Sequence, residues 1–250
     1  MNDANEGTEC LWHDLPADIP LRIELESFSQ PSGVDPRSVE AAWDRIRAEN
    51  PRAFNGPILA FLDAHPERGF VRAGREEYRN LAVQPAIGTG VVQLGVTGLL
   101  EARDAAGTPH ALLGLRSDAT RVFGGMWEFG PSGGVDPPPV DQTELDADDV
   151  WRVLINEIRE EVGLPVDPDP TPPIALLHDP VGQSVELIVR VALRRPVEEL
   201  IALIDEENRT SRWEYDAVRW VAFDDLRAFV RSEPSIPTAH AIADRLSGAR

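Results

Sequence analysis

The stretch NEIREEVGLP, residues 156–165, carries three glutamates within five positions and a glycine two residues after the last of them. Residues three and four apart are neighbours on a helix, so helical geometry would place Glu157, Glu160 and Glu161 on one side. A carboxylate cluster of this kind has two interpretations. It is either a solvated acidic face or the oxygen-ligand set of a divalent metal site.

The segment before these glutamates predicts the helix that carries them. Apolar residues recur every four positions from Val150 to Ile158, which is the spacing of an amphipathic helix. Asp146 or Asp148 is positioned to cap its start, and Gly163 is expected to end it. Hard cations such as Mg²⁺ bind carboxylates together with waters and substrate phosphates. The helix therefore suits metal-dependent chemistry at a phosphate.

Composition limits the classes of partner. The chain has 250 residues, 42% of them hydrophobic, which is enough for one sizeable core. Its formal net charge is −19 and all 24 basic residues are arginine, so we expect no binding to a nucleic-acid polymer through its phosphates. A small phosphorylated ligand is compatible with this charge, provided that metal ions and a few arginines offset it locally.

Three features favour a cytoplasmic protein that is not bound to a membrane. Cys10 is the only cysteine, so no intrachain disulfide can form. No apolar run approaches the roughly 20 residues that span a bilayer. The first residues lack a basic region followed by an apolar stretch, so no signal peptide is predicted.

Patterns along the chain predict a mixture of strands and helices. Strands are expected over 21–28, 91–102, 110–117 and 184–193, and a helix over 36–50. The strands 91–102 and 110–117 are predicted to form one long hairpin. Residues 69–83 indicate further strands around a turn, and MWEFGPSGGV (126–135) a short strand entering a glycine turn. The predicted fold class is α/β with a mixed, partly antiparallel sheet.

The region from Gly133 to Leu164 resembles the Nudix box. That motif is a glycine, a spaced glutamate, and then Arg-Glu-aliphatic-x-Glu-Glu-x-Gly-aliphatic. NEIREEVGL (156–164) agrees with its second part at every position but the first. LLGLRS before the box and VRWVAFDDL after it are similar to the segments that flank it in the family. The resemblance covers residues 88–250.

The resemblance implies a fold, a cofactor and a reaction. The fold would be the Nudix α/β/α sandwich around a mixed sheet, with residues 1–87 as an N-terminal α+β extension packed on it. Mg²⁺ or Mn²⁺ would be held by Glu157, Glu160 and Glu161, and Glu157 and Glu161 would be catalytic. The reaction would be hydrolysis of a nucleoside diphosphate linked to another moiety.

Two departures from the family pattern point to a branch. Asn156 replaces the family's arginine, and asparagine can donate a hydrogen bond to a carboxylate but carries no charge. The proline-rich segment 136–149 lengthens the loop after Gly134, and the family's isolated glutamate falls on Asp148. These features, with FNG (54–56) upstream, resemble the UDP-glucose pyrophosphatase branch. Its members cleave UDP-sugars to UMP and a sugar 1-phosphate.

Further residues are candidates for the substrate and the reaction. Arg116 could meet a phosphate, since guanidinium matches phosphate geometry, or be an exposed arginine at a strand end. Ser132, Gly133 and Gly134 could offer backbone N–H groups to phosphate or form a structural turn. Glu214 is placed where some Nudix enzymes have a general base, and a surface glutamate is the alternative.

Several alternatives stay open. The same chemistry could act on ADP-ribose or a dinucleotide. Asn156, and the insertion that displaces the motif's glycine from its usual spacing, would also suit a catalytically weak Nudix-like module that only binds a nucleotide or a partner protein. Trp127, Trp213 and Tyr215 could stack on a uracil or pack in the core. N-terminal strands could form the interface of a homodimer.

Overall fold

The computed structural model describes residues 9–27, 33–120, 122–164, 169–207 and 214–248. They form a mixed sheet with helices on both faces, which confirms the α/β fold class. The strands are β1 (Leu11–Asp14), β2 (Arg22–Glu26), β3 (Pro57–His65), β4 (Phe70–Glu77), β5 (Gln93–Arg103), β6 (Pro109–Arg116), β7 (Trp127–Phe129), β8 (Ser132–Gly134), β9 (Glu144–Asp146), β10 (Ala175–Asp179), β11 (Ser184–Ala192) and β12 (Tyr215–Ala222). The α-helices are α1 (Pro36–Glu49), α2 (Tyr78–Ala82), α3 (Gln84–Ile87), α4 (Ala147–Glu157), α5 (Val197–Glu207), α6 (Leu226–Ser232) and α7 (Pro237–Gly248).

The described strands form one sheet whose main path runs β1-β10-β11-β5-β3-β4-β2-β9. β5 is central to it. β11 runs parallel along one edge of β5, while β3, β8 and β6 share the other edge in turn. β6 continues the sheet to β7 and β12. Because β2–β4 is also parallel and the other described strand pairs are antiparallel, the sheet is mixed, as predicted.

The prediction of one long hairpin over 91–102 and 110–117 is wrong in its extent. β5 and β6 pair only next to their turn, over residues 101–103 of β5. Farther from the turn, β8 pairs with β5 at 95–97, and β7 pairs with β6 at 113–115. The glycine turn expected after β7 is therefore the strand β8, which takes the place of β6 along the edge of β5.

Residues 69–83 also differ from the expected pair of strands. The single strand β4 ends at Glu77 and α2 begins at the next residue. Oδ1 of Asn55 accepts a hydrogen bond from the backbone N–H of Arg79 (2.9 Å). This contact satisfies a backbone donor in the first turn of α2, which has no partner within the helix. The side chain of Asn55 therefore favours a helix where strand alternation predicted another strand.

Helices cover the sheet on both faces because the side chains of β5 alternate in direction. Leu94, Val96 and Leu100 belong to a cluster with residues of α4 and α5, namely Val150, Leu154, Val197, Leu200 and Ile204. Leu99 belongs to a second cluster with residues of α6 and α7, namely Leu226, Val230, Ala239, Ile242 and Ala243. The result is a three-layer α/β/α arrangement.

The predicted glutamate-bearing helix is α4 followed by one π-helical turn, Ile158–Val162. Asp146 is the cap: its Oδ1 accepts from the N–H groups of Asp148 (3.0 Å) and Asp149 (3.1 Å). Gly163 ends the π turn with a φ of 61°, a left-handed conformation that glycine adopts easily. The start and end of the helix are as predicted, but the α-helical spacing does not extend to its last turn.

The first 87 residues contribute strands to the same sheet as the rest of the chain. β2 pairs with β9, and β3 pairs with β5. The boundary between an extension and a catalytic domain after residue 87 stays a prediction. Among the helices that the structure describes, none combines the length and the apolar character needed to cross a membrane.

Candidate functional site

Three carboxylates converge where α4, the π turn and β12 meet. Glu157 is the last residue of α4, Glu161 lies in the π turn, and Glu214 directly precedes β12. One oxygen from each lies within 4.8 Å of the others. Glu161 is only 5% exposed, and the other two are half-buried. Tertiary structure thus brings two of the predicted metal ligands next to the predicted general base.

Glu160 departs from the expectation that all three glutamates of the motif share one side. It is exposed and lies outside the group of converging carboxylates. The physical reason is the π turn, whose i→i+5 hydrogen bonding rotates its residues away from α-helical positions. Its charge still contributes to the environment of Glu157. A role for Glu160 as a metal ligand stays a prediction.

The environment of the Glu157 and Glu161 carboxylates is unfavourable to negative charge. Burial raises the pKa of Glu157 to about 7, and the charges of Glu214 and Glu160 add to the shift. Burial also raises the pKa of Glu161, which in addition shares a hydrogen bond with Glu214. A cation among three oxygen ligands would remove this repulsion. The donor set fits a hard cation such as Mg²⁺ or Mn²⁺, since it holds no thiolate or imidazole.

β8 positions the carboxylates through its backbone. A Cβ at Gly133 would overlap the carboxylate of Glu157, so glycine is what allows this side chain to lie against the strand. The backbone N–H of Ser132 donates to Oε2 of Glu161 (3.3 Å). That N–H is therefore already used within the protein rather than held free for phosphate. Phosphate binding by Ser132, Gly133 and Gly134 stays a prediction.

The residues predicted to touch substrate line a single cleft. Its volume is about 310 Å³, within the range of small-molecule sites. Its lining includes the predicted Arg116, Ser132, Gly133, Gly134, Glu161 and Glu214, together with Gln93, Gly95, Thr97, Glu128, Asp179, Ser184 and Glu186. The predicted phosphate-binding residues and the predicted catalytic residues Glu161 and Glu214 therefore face one cleft, whereas Glu157 is not among its lining residues.

Arg116 is fixed in the cleft by a partner that sequence reasoning missed. Its Nη1 donates to Oε1 of Glu128 (2.5 Å), and the hydroxyl of Tyr215 donates to the same oxygen (2.9 Å). Glu128 is 4% exposed, and burial raises its pKa even beside Arg116. A lone charge between Trp127 and Phe129 in a short apolar strand is the signal that could have identified it.

The aromatic candidates for stacking on a uracil have other positions. Trp127 is buried and forms an edge-to-face pair with Phe229, with ring centroids 5.3 Å apart. Tyr215 is buried with its hydroxyl on Glu128. Both therefore follow the core-packing alternative. Trp213 lies outside the described residues.

Asn156, which replaces the family's arginine, does not hold a carboxylate of the site. It is exposed, and its Oδ1 accepts a hydrogen bond from Nη1 of Arg159 (3.4 Å). Among the described residues, its side chain donates no hydrogen bond to a carboxylate. In this protein Gly133 and the backbone of β8 border the carboxylates instead.

No protein-family model matches the chain, and no curated protein sequence matches it. Solved structures that resemble this chain include the DR0079 protein of Deinococcus radiodurans, at 15% identity over 76% of this chain and 99% of that one, with a TM-score of 0.47. A MutT protein from Methanosarcina mazei Go1 is 17% identical over 63% and 96%, with a TM-score of 0.41. The Nudix hydrolase RenU from M. smegmatis is 19% identical over 62% and 84%, with a TM-score of 0.39. Since these similarities are low, the functional assignment has to come from the chain's own residues.

Proposed function

We propose that this protein is a metal-dependent Nudix-type hydrolase of nucleoside diphosphates linked to another moiety, and that its substrates are UDP-sugars. UDP-glucose or UDP-galactose would give UMP and a sugar 1-phosphate. The observation that carries the proposal is the convergence of Glu157, Glu161 and Glu214 beside a cleft that Arg116 also lines. Mg²⁺ or Mn²⁺, when bound there, would polarise a phosphoryl oxygen and screen the diphosphate.

The chain's own residues divide the work of the reaction. Glu157 and Glu161 would hold the metal, and the N–H of Ser132 orients Glu161. Glu214 accepts a proton from the attacking water, whose oxygen forms the new bond to phosphorus. The bond from that phosphorus to the bridging oxygen breaks, and the second phosphate leaves. Arg116, held by Glu128, faces the developing charge.

The lengthened loop supports the UDP-sugar branch as the finer proposal. The branch resemblance includes this loop and an N-terminal region, and here the two are in contact. Nη2 of Arg75, in β4, donates to the carbonyls of Pro139 (2.8 Å) and Gln142 (3.0 Å). The loop after β8 is therefore anchored to the N-terminal part of the chain rather than being a free insertion.

A substrate panel tests both levels of the proposal. Release of phosphatase-sensitive phosphate is measured with Mg²⁺ on UDP-glucose, UDP-galactose, ADP-ribose, NADH and diadenosine compounds. UDP-sugar turnover that forms UMP would support the branch and the reaction together. Turnover of adenine compounds alone would keep the reaction and discard the UDP-sugar substrate. No turnover on any compound, with nucleotide binding retained, would identify a binding module.

Glu161→Gln is expected to abolish most activity without unfolding the protein. Gln keeps the shape of the side chain but removes the charge of a ligand. The loss of activity should exceed the roughly 10–100-fold loss that follows when a residue supporting a metal ligand is replaced. Turnover and far-UV circular dichroism measure both effects. Glu160→Gln is the matched control, because Glu160 is exposed and outside the cluster. Equal loss in both variants would support the prediction that Glu160 is also a ligand; no loss in Glu161→Gln would refute the metal assignment.

A further inference from the structure

Glu186 is a carboxylate of the cleft that the proposed reaction does not use. It belongs to β11, where it is a charged residue in the otherwise apolar run VELIV (185–189). Its register partner on the parallel strand β5 is Gly95. A Cβ at Gly95 would overlap the Glu186 carboxylate, so the glycine provides the space in which this group lies. The carboxylate is therefore built into the wall of the cleft.

Only about half of the hydrogen-bonding capacity of Glu186 is used. Within the described part of the chain it forms no ion pair, and its donors are the hydroxyls of Thr97 (3.4 Å) and Ser184. A carboxylate offers about four acceptor sites, so these two donors leave about half of them open. Burial raises the pKa of Glu186 to about 7, with smaller contributions from the charges of Glu128 and Asp179. An additional donor would stabilise the ionised form.

The charge around Glu186 restricts what that donor can be. A phosphate is disfavoured, since Glu128 and Asp179 surround it with further negative charge. A metal is also disfavoured, because the described group of converging ligands contains Glu157, Glu161 and Glu214 but not Glu186. Neutral donors remain. The nearby lining residues Gln93, Thr97 and Ser184 are themselves neutral and polar, which suits hydroxyl groups.

We propose that Glu186, with Thr97 and Ser184, binds the vicinal hydroxyls of a sugar ring in the uncharged part of the substrate. The inference rests on the proposed function, which places the diphosphate at the carboxylate cluster and leaves this part of the cleft for a neighbouring ring. Two rings could supply the hydroxyls: the ribose of the nucleoside and the sugar of the sugar phosphate. Both are vicinal diols, and the same experiment separates them.

Binding is measured calorimetrically with Mg²⁺ for UMP, its 2′-deoxy and 3′-deoxy analogues, glucose 1-phosphate and 2-deoxyglucose 1-phosphate. The wild-type protein should prefer one hydroxylated compound over its deoxy analogue by about tenfold, the value of one hydrogen bond to a charged group. Glu186→Gln, a neutral isostere, should reduce that preference to near unity. The compound that shows the preference in the wild type identifies which ring, the ribose or the sugar, is bound by Glu186. Glu101→Gln is the matched control, because Glu101 is in β5 and pairs with Arg190 of β11. It should leave the preference unchanged.

The outcomes separate this inference from the proposed function. Unchanged preferences in Glu186→Gln would overturn the sugar subsite, while UDP-sugar turnover by the same variant would leave the reaction intact. If the wild type hydrolyses nothing in the panel but Glu186→Gln loses a hydroxyl preference, the subsite stands and the reaction fails. Absence of any hydroxyl preference in the wild type would also overturn the subsite. A circular dichroism spectrum of each variant confirms that the fold is retained.

Discussion

Individual glutamates in and around the cleft lie in environments that suit different tasks. Glu161 and Glu128 are almost fully buried, but Glu161 lies beside other carboxylates and Glu128 beside an arginine. Glu160 is exposed. A neighbouring carboxylate disfavours the negative charge of a glutamate, and a neighbouring arginine favours it. Glutamates can therefore be suited to binding a metal, to pairing with an arginine or to remaining in solvent.

Glu128→Gln is expected to destabilise the protein by about 3 kcal/mol, because it leaves the largely buried Arg116 guanidinium without its counter-charge. Tyr215→Phe, which removes one hydrogen bond and keeps the ion pair, should cost about 1.5 kcal/mol. Urea unfolding of both variants gives the comparison. An equal cost in the two variants would show that the ion pair does not hold Arg116 in place.

Glu186 should make stability depend on pH. Its pKa rises from 4.5 to about 7 on folding, so the folded state binds more protons between these values than the unfolded state does. Stability is therefore lost as pH rises from about 4.5 to 7, by at most about 3 kcal/mol for this group. Glu186→Gln should be more stable than wild type at pH 8. At pH 5 this advantage in stability should be much smaller. Urea midpoints without divalent metal check this, and an advantage that is independent of pH would contradict it.

At the scale of secondary-structure elements, the π turn and β8 together set the position of the carboxylates. The π turn carries Glu161 inward and leaves Glu160 in solvent. β8 lies close enough that its glycine backbone borders Glu157. π turns are rare and recur at functional sites, which agrees with its location here.

Gly133→Ala should weaken metal binding by about tenfold or more, since the new Cβ displaces the side chain of Glu157 from its place in the cluster. Gly134→Ala is the matched control on the same strand. Its Cβ would meet only the amide of Gln93, at the end of a flexible side chain. Mn²⁺ titration compares the affinities, and equal losses in both variants would contradict a specific role for Gly133.

At the scale of the whole molecule, the first 87 residues and the rest of the chain contribute strands to one sheet and side chains to one of its hydrophobic clusters. Ile23, Leu59 and Val71 belong to the same hydrophobic cluster as Leu154 and Ile158. β2 also pairs with β9, next to the start of α4. The helix that carries the candidate metal ligands is thus supported by strands from the first 87 residues.

A fragment of residues 88–250 is therefore expected to unfold more readily than the full chain and to lose metal binding. Removing β2 to β4 exposes part of the common core and leaves β9 without its partner. Thermal unfolding and limited proteolysis measure the difference. Arg75→Gln in the full chain, which removes only the loop contacts, is the control and should be much milder. A fragment as stable as the full chain would show that the extension is an independent unit.

Much of the element pattern was accessible from the sequence, since it depends on local periodicity and caps. α1 and α4, and the strands β2, β5, β6 and β11, follow predicted segments. The extent of the hairpin was predicted wrongly, and the strand β8 and the helix α2 were missed. Strand pairing and the Asn55 contact join residues far apart in sequence, so no local pattern reports them.

The sequence alone determined the mixed α/β class, the glutamate-bearing helix and the choice of Glu160 as a candidate together with Glu157, Glu161 and Glu214. Only the tertiary structure decided that these three converge and that Glu160 does not. It also decided that Arg116 is held by Glu128, and that Glu186 faces the same cleft. The physical reason is that helix spacing acts over a few residues, whereas burial and the meeting of charges depend on how distant strands pair.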